Sequence, residues 1–289
     1  MSARVLRCGR FELPLARPLV MGILNITPDS FSDGGRFAQV GEAIAHAERM
    51  VRDGAAIIDV GAESTRPGAQ SVGADEEWAR LAPVLRELVR LNVPISVDTY
   101  RPQTMRLALD VGADMINDIN ALREPGAAEA VRGSKAALCL MHMRGQPATM
   151  QQAPAYADVV QEALSMLLES SKNAGELALT TGSICIDPGF GFGKTAAHNL
   201  QLAQHLRRFA GRGYPLLVGL SRKNTLGLIT GRPVHERTAA SVAAALWAAH
   251  CGANILRVHD VSETVDALKV WQACEAGTMS ADPHRQPAY

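Results

Sequence analysis

The chain has 289 residues, 47% of them apolar and 20% charged, which supplies a hydrophobic core and excludes a disordered or low-complexity protein. Lys and Arg number 29, as do Asp and Glu, so no field of one sign draws the whole molecule to nucleic acid or an anionic membrane. No apolar run approaches the roughly 20 residues that cross a bilayer, and the opening MSARVLRCGRFELPLARPL lacks the apolar stretch of a secretory signal. Five scattered cysteines (Cys8, Cys139, Cys185, Cys251, Cys274) show no C-x-x-C spacing and read as small buried hydrophobes or free thiols of a reducing cytoplasm.

In chain order, eight short runs rich in apolar and β-branched residues predict strands: LVMGIL (19–24), AIIDV (56–60), PISV (94–97), DMIN (114–117), ALCLM (137–141), ICID (184–187), PLLVG (215–219) and NILRV (254–258). They are continuously apolar rather than alternating, which implies burial on both faces and a parallel sheet. Helical patterns fill the gaps. In GEAIAHAERMVRDGA, Ile44, Ala47 and Val51 share a face and Gly54 stands at the stop. Trp78, Leu81, Leu85 and Leu88 form a second stripe, and Pro102 and Gly112 bracket a third helix. Further patterns follow in 155–175, 195–211 and 236–253. Such alternation predicts a single (β/α)₈ barrel over 19–272, with a lead-in over 1–18 and a tail over 273–289.

Reacting groups of such barrels sit where strands end. Here the strand ends carry Asn25, Asp59 followed by Glu63, Ser64, Thr65 and Arg66, then Asp98, Asn117, Asp187, Ser221 with Lys223, and Arg257 with His259. Strand five runs instead into His142 and Arg144. Two carboxylates and an amide suit a flat heterocycle with N–H donors on its edge, such as a 2-aminopyrimidinone. Arg66, Lys223, Arg257 and His259 suit a phosphate or pyrophosphate. Each residue also has a plainer reading. A single Asp after a strand is as readily a helix N-cap, Asp59 inside its strand reads as structural, and His142 reads as rim support. DPGFGFGK resembles a phosphate loop without the Walker spacing. No His, Cys and Asp grouping has zinc spacing, and no G-x-S-x-G marks a serine nucleophile.

Eight segments taken together resemble the dihydropteroate synthase family: MGILNITPDSFSDGG (21–35), IIDVGAESTRPGA (57–69), PISVDT (94–99), INDINAL (116–122), LMHMRGQPATMQ (140–151), IDPGFGFGK (186–194), LLVGLSRK (216–223) and ILRVHDV (255–261). The resemblance implies a barrel enzyme of folate synthesis that joins 4-aminobenzoate to 7,8-dihydropterin-6-ylmethyl diphosphate, with Mg²⁺, releasing pyrophosphate. It implies that Asp98, Asn117, Asp187 and Lys223 hold the pterin, and that Arg257 and His259 bind the diphosphate, with Arg257 also covering the ring face. By the same resemblance Asp98, Lys223, Arg257 and His259 are catalytic, and Asn25 carries the Mg²⁺. Thr65 and Arg66 meet the distal phosphate, and with Pro67, Phe192 and Ser221 frame the aminobenzoate site. Residues 27–37 and 63–71 resemble the two loops that close over the pocket. Ala62 stands where glycine is expected, and Asn120 and Tyr100 fall at positions read as variable. A methyltransferase acting on methyltetrahydrofolate could share the pterin floor, but it has no use for Thr65-Arg66 or the Arg257/His259 anion site. A catalytically silent paralogue is the other competing reading. The alanine-rich helix Ala239 to Ala249 can pack on the barrel or against a second subunit, the family's implied homodimer.

Overall fold

A computed structural model describes residues 5–26, 36–63, 72–146, 149–180 and 182–278. It opens with an antiparallel hairpin, β1 (Val5–Cys8) and β2 (Phe11–Pro14). Then come eight parallel strands: β3 (Leu19–Asn25), β4 (Ile57–Gly61), β5 (Ile95–Asp98), β6 (Met115–Asp118), β7 (Ala137–Met141), β8 (Ile184–Asp187), β9 (Leu217–Val218) and β10 (Ile255–Val258). Their order is β8-β7-β6-β5-β4-β3-β10-β9. A parallel bridge between Ile186 and Leu216, with the Ile186 N–H donating to the Pro215 carbonyl at 2.9 Å, joins the two outer strands. The sheet is thereby a nearly closed (β/α)₈ barrel. The seventh predicted strand, 215–219, shrinks to Leu217–Val218.

Around it lie α1 (Arg36–Arg52), α2 (Ala74–Leu88), α3 (Pro102–Val111), α4 (Ala127–Val131), α5 (Val159–Gly175), α6 (Ala196–Gln204), α7 (Asn224–Thr230), α8 (Thr238–His250) and α9 (Val261–Ala276). Pro102 occupies the first turn of α3, and Gly112 caps it in the left-handed conformation at φ 106°, as its sequence predicts. On α1 the buried face differs from the expected one: Ala43, Ala47 and Met50 are buried, while Ile44 and Val51 lie at the margin. The small alanines let the helix approach the sheet. Gly22 of β3 leaves room for the Met50 sulfur, which would stand only 2.7 Å from a Cβ there.

The lead-in adds something that the strand count missed. Leu6, Cys8 and Leu15 pack with Met21, Ile57, Met115, Cys139, Cys185 and Ile255, so the hairpin plugs one end of the barrel with an apolar layer. Arg10 then forks onto Asp114, Nε to Oδ1 and Nη2 to Oδ2, both at 3.0 Å. Asp114 precedes β6, so the plugged end is the N-terminal one and the C-terminal end is left for chemistry.

Candidate active site

The strand register carries most of the expected residues to that open end. Asn25 closes β3 opposite Gly61, and Asp98 closes β5 opposite Asn117. Asp187 closes β8, Arg257 lies in β10 with His259 just beyond, and Ser221 and Lys223 occupy the turn before α7. Phe192 lies in the loop between β8 and α6. Thr65, Arg66 and Pro67 lie outside the described residues, as do 27–35 of the first expected loop and 64–71 of the second.

Arg257 crosses the mouth and ties two strands to its own. Its Nε donates to Asp59 Oδ2 at 2.6 Å and its Nη2 to Asp98 Oδ2 at 2.7 Å. Side-chain exposure is 18% for Arg257, 15% for Asp98 and nil for Asp59, so these charges are largely desolvated and removing one partner is expensive. Asn117 Nδ2 also donates to Asp59 Oδ2, at 3.2 Å, which leaves the Asn117 carbonyl as an acceptor. The other Asp59 oxygen, Oδ1, is buried with no partner among the described residues. Asp59, which the sequence reading set aside as structural, is thus the hub of the mouth. The only sequence signal was a carboxylate inside an otherwise apolar strand. Burial, opposed by Arg257 and reinforced by Asp59, pushes the Asp98 carboxyl up to about 7.

Lys223 supplies the second cation. Its ammonium lies 4.3 Å from the centre of the Phe192 ring, and burial, then the Arg257 charge, pull it down to about 8. Asp187 feels both Lys223 and Arg257 but is pushed upward by burial; its Oδ1 accepts the Gly189 N–H at 2.7 Å. Asp98, Asp187, Lys223 and Arg257 therefore share one mouth rather than separate surfaces.

The glycine-rich loop after β8 is a packing device more than a phosphate cradle. Gly189 (φ 71°) and Gly193 (φ 62°) are left-handed, and a Cβ would fall 1.9 Å from the His142 carbonyl oxygen at the first and closer than contact to the Arg144 carbonyl at the second. Lys194 is buried and turned inward. Its ammonium donates to the carbonyls of His142 (3.1 Å), Gly189 (2.9 Å) and Phe192 (3.0 Å), and burial pulls it down to about 7. Asp118 does the same service after β6. Its oxygens accept the N–H groups of Asn120 (2.7 Å) and Leu122 (2.6 Å) and hold Ala121 and Leu122 at positive φ. His142 lies at the rim, buried, and burial lowers it to about 3, so it is neutral.

Burial, then Arg257 and Arg222, bring His259 to about 3, so it is a neutral imidazole. Ser221 Oγ lies 2.9 Å from His259 Nδ1 and accepts the His259 backbone N–H at 3.1 Å. A hydroxyl that already accepts can still give its own hydrogen to Nδ1, the arrangement that leaves the ring proton on Nε2. Asn25 is half-buried, and no hydrogen bond from the described residues takes up its amide oxygen. No group of three metal-ligating side chains occurs among the described residues. One hard oxygen fits a Mg²⁺ that takes its other ligands from water and substrate phosphate.

A family model for pterin binding enzymes matches residues 21–259, from within the first barrel strand to His259. The chain belongs to the pterin binding enzymes. Within that family it is similar to the dihydropteroate synthase of Neisseria meningitidis serogroup B, 49% identical over 280 residues, covering 94% of this chain and 98% of that protein. Among solved structures, Xanthomonas albilineans dihydropteroate synthase with 4-aminobenzoic acid superposes with a TM-score of 0.89 at 50% identity, covering 96% and 99% of the two chains. Burkholderia cenocepacia dihydropteroate synthase complexed with 7,8-dihydropteroate does so with a TM-score of 0.88 at 49% identity, covering 96% and 98%. The pterin binding enzyme described here thus shares at least 94% of its length with each of them.

Proposed function

We propose that the chain is a dihydropteroate synthase that condenses 7,8-dihydropterin-6-ylmethyl diphosphate with 4-aminobenzoate to give 7,8-dihydropteroate and pyrophosphate. The observation that carries this reading is the convergence of Asp98, Asn117, Asp187 and Lys223 with Arg257 at one barrel mouth. Relatives of closely similar sequence and fold, solved with 4-aminobenzoic acid and with 7,8-dihydropteroate, support it.

Asp187 and the free carbonyl of Asn117 accept the ring N–H groups, while Lys223 donates to the ring's own acceptor. The dihydropterin is electron-rich and stabilises positive charge on the exocyclic carbon, so the C–O bond to the diphosphate breaks ahead of attack. Asp98, Asp59 and Asp187 favour that cation electrostatically. Arg257 and the Nε2–H of His259 meet the departing diphosphate, and approach of this anion draws His259 toward its protonated form. Asn25 is the residue suited to hold Mg²⁺, which when bound neutralises charge on the diphosphate. Arg66 and Thr65 take the distal phosphate and, with Pro67, Phe192 and Ser221, frame the amine substrate. The arylamine is uncharged near neutral pH, so no strong general base is needed.

The chain acts as a homodimer through the α7–α8 face. Leu228 and Ile229 there are 67% and 60% exposed, and Trp247 on α8 is 47% exposed, while Ala245, Ala248 and Ala249 of the same helix pack inward. Sedimentation of Trp247→Glu tests this; a wild type that sediments as a monomer contradicts it. No described helix is long and apolar enough to cross a membrane. Four buried thiols and one exposed, all unpaired, fit the reducing cytoplasm.

Pyrophosphate release from the pterin diphosphate tests the activity. It should require 4-aminobenzoate and yield dihydropteroate in equal amount. Transfer of a methyl group from methyltetrahydrofolate, or pterin binding with no turnover, would replace this reading by one of the two competing ones.

A further inference from the structure

Ser221 meets His259 in the mouth, and one residue further along each loop a second pair joins the same two loops. Arg222 forks onto Asp260, Nε donating to Oδ2 at 3.1 Å and Nη2 to Oδ1 at 2.5 Å. The Asp260 side chain is 8% exposed and that of Arg222 35%, so the carboxylate end of the pair is largely desolvated. Both partners are anchored at the start of α8. Thr238 Oγ1 donates to Asp260 Oδ1 at 3.3 Å, Ser241 Oγ accepts the Arg222 N–H at 2.9 Å, and Arg237 Nη1 donates to the Arg222 carbonyl at 3.1 Å. From α9 the Thr264 hydroxyl donates to the Asp260 carbonyl at 2.7 Å. Arg222 is itself left-handed, at φ 56°. Residues with a side chain seldom take that conformation and glycine takes it freely, so a turn alone has no need of arginine. The pair also acts on the neighbouring imidazole: after burial and Arg257, the next influences on His259 are Arg222, which lowers its pKa, and Asp260, which raises it.

We propose that Arg222 and Asp260 are a positioning pair for the mouth: their fork, held on α8, fixes the turn that carries Ser221 and Lys223 at one distance and angle from His259. Ser221 and Lys223 are the two chain neighbours of Arg222, and His259 is a neighbour of Asp260, so any shift in the fork passes through a single peptide on each side. Two parallel bonds set an angle as well as a distance, which one bond does not. With the fork in place the Ser221 hydroxyl stays 2.9 Å from His259 Nδ1, the contact that leaves the ring proton on Nε2. Without it that contact loosens, and the proton is free to move to Nδ1. The kinetic consequence rests on the proposed reaction, in which Lys223 holds the ring and His259 meets the diphosphate; the structural consequence does not.

The test uses the full chain with Arg222→Gly, Asp260→Asn and the double variant. Glycine keeps the left-handed turn and deletes the fork, so it separates the side chain from the backbone. Long-range proton–nitrogen NMR of the imidazoles should show the His259 proton on Nε2 in the wild type and shared between Nδ1 and Nε2 in both single variants. The kcat/KM for the pterin diphosphate should fall about tenfold or more in each single variant. The double variant should lie within about twofold of the weaker single one, because either substitution already breaks the same pair. Asp260→Asn decides the matter if Arg222→Gly does not fold. A kcat/KM in Arg222→Gly within about twofold of wild type would reduce Arg222 to a turn residue and overturn the proposal. Losses that multiply in the double variant, or a His259 tautomer unchanged in both single ones, would overturn it equally. If the wild type makes no dihydropteroate, the proposed reaction fails, and the His259 tautomer still judges the pair by itself.

Discussion

The two ends of the barrel are built from the same strands and treat buried charge in opposite ways. At the N-terminal end Asp114 is saturated: Oδ1 accepts from Arg10 N (3.2 Å) and Nε (3.0 Å), and Oδ2 from Arg10 Nη2 (3.0 Å) and Ile95 N (3.2 Å). At the mouth Asp59 keeps an orphan oxygen, Asp98 shares one arginine with it, and Lys223 is displaced toward neutrality. On β7 and β8 the change takes a few residues, from Cys139 opposite Cys185 at the floor to Met141 opposite Asp187 at the rim. A saturated carboxylate contributes only to folding. An under-satisfied cluster of both signs has free energy left to spend on a ligand, and shifted titration is its signature.

That contrast can be broken by substitution. The largest effect belongs to Arg257→Ala, which leaves Asp59 and Asp98 facing each other and removes a diphosphate contact. It should cost about 2–5 kcal/mol of transition-state stabilisation, seen in kcat/KM, and near-normal turnover would separate the arginine from the reaction. Next comes Lys194→Met, which strands three carbonyls; urea unfolding should report a loss of about 3–5 kcal/mol. Should that variant stay as stable as wild type, the inward-turned lysine is not what holds the loop.

Acidity sharpens the same comparison. Asp98 is raised to about 7 and Lys223 lowered to about 8. Falling pH therefore protonates Asp98 and removes its negative charge, while rising pH removes the positive charge of Lys223. The kcat/KM profile should peak between these values and fall about tenfold per pH unit on each outer limb. A profile flat from pH 6 to 9 would mean that neither group matters in the charged form. The smallest effect belongs to the floor. Arg10→Ala, half-exposed and far from the mouth, should lose about 1–2 kcal/mol of stability with kcat/KM unchanged, read by urea unfolding and steady-state kinetics.

What the sequence revealed divides along the same line. Continuous apolar runs located all eight barrel strands, because burial on both faces leaves no room for alternation. The polar residue that ends each strand located Asn25, Asp98, Asn117, Asp187 and Arg257. Asp59 reads as a structural hydrogen-bonding residue, and the closed barrel adds its partner, since Arg257, 198 positions later, stands beside it. DPGFGFGK resembles a phosphate loop without its spacing, and the left-handed glycines fold it so that the Lys194 ammonium faces carbonyls. The neutral state of His259 was not legible because sequence carries no measure of burial. The hairpin was legible and passed over: Leu6 and Cys8 alternate with polar neighbours ahead of a Gly9 turn. On α1 Ala47 is buried as expected, while Ala43 and Met50 take the places of Ile44 and Val51.

The account rests on the mouth recognising a pterin through its carboxylates. Calorimetric titration of the wild type and of Asp187→Ala with the pterin diphosphate measures this directly. The expected result is tight wild-type binding weakened about 100-fold or more by the substitution, with the fold retained by circular dichroism. Equal affinity in the two proteins would contradict it.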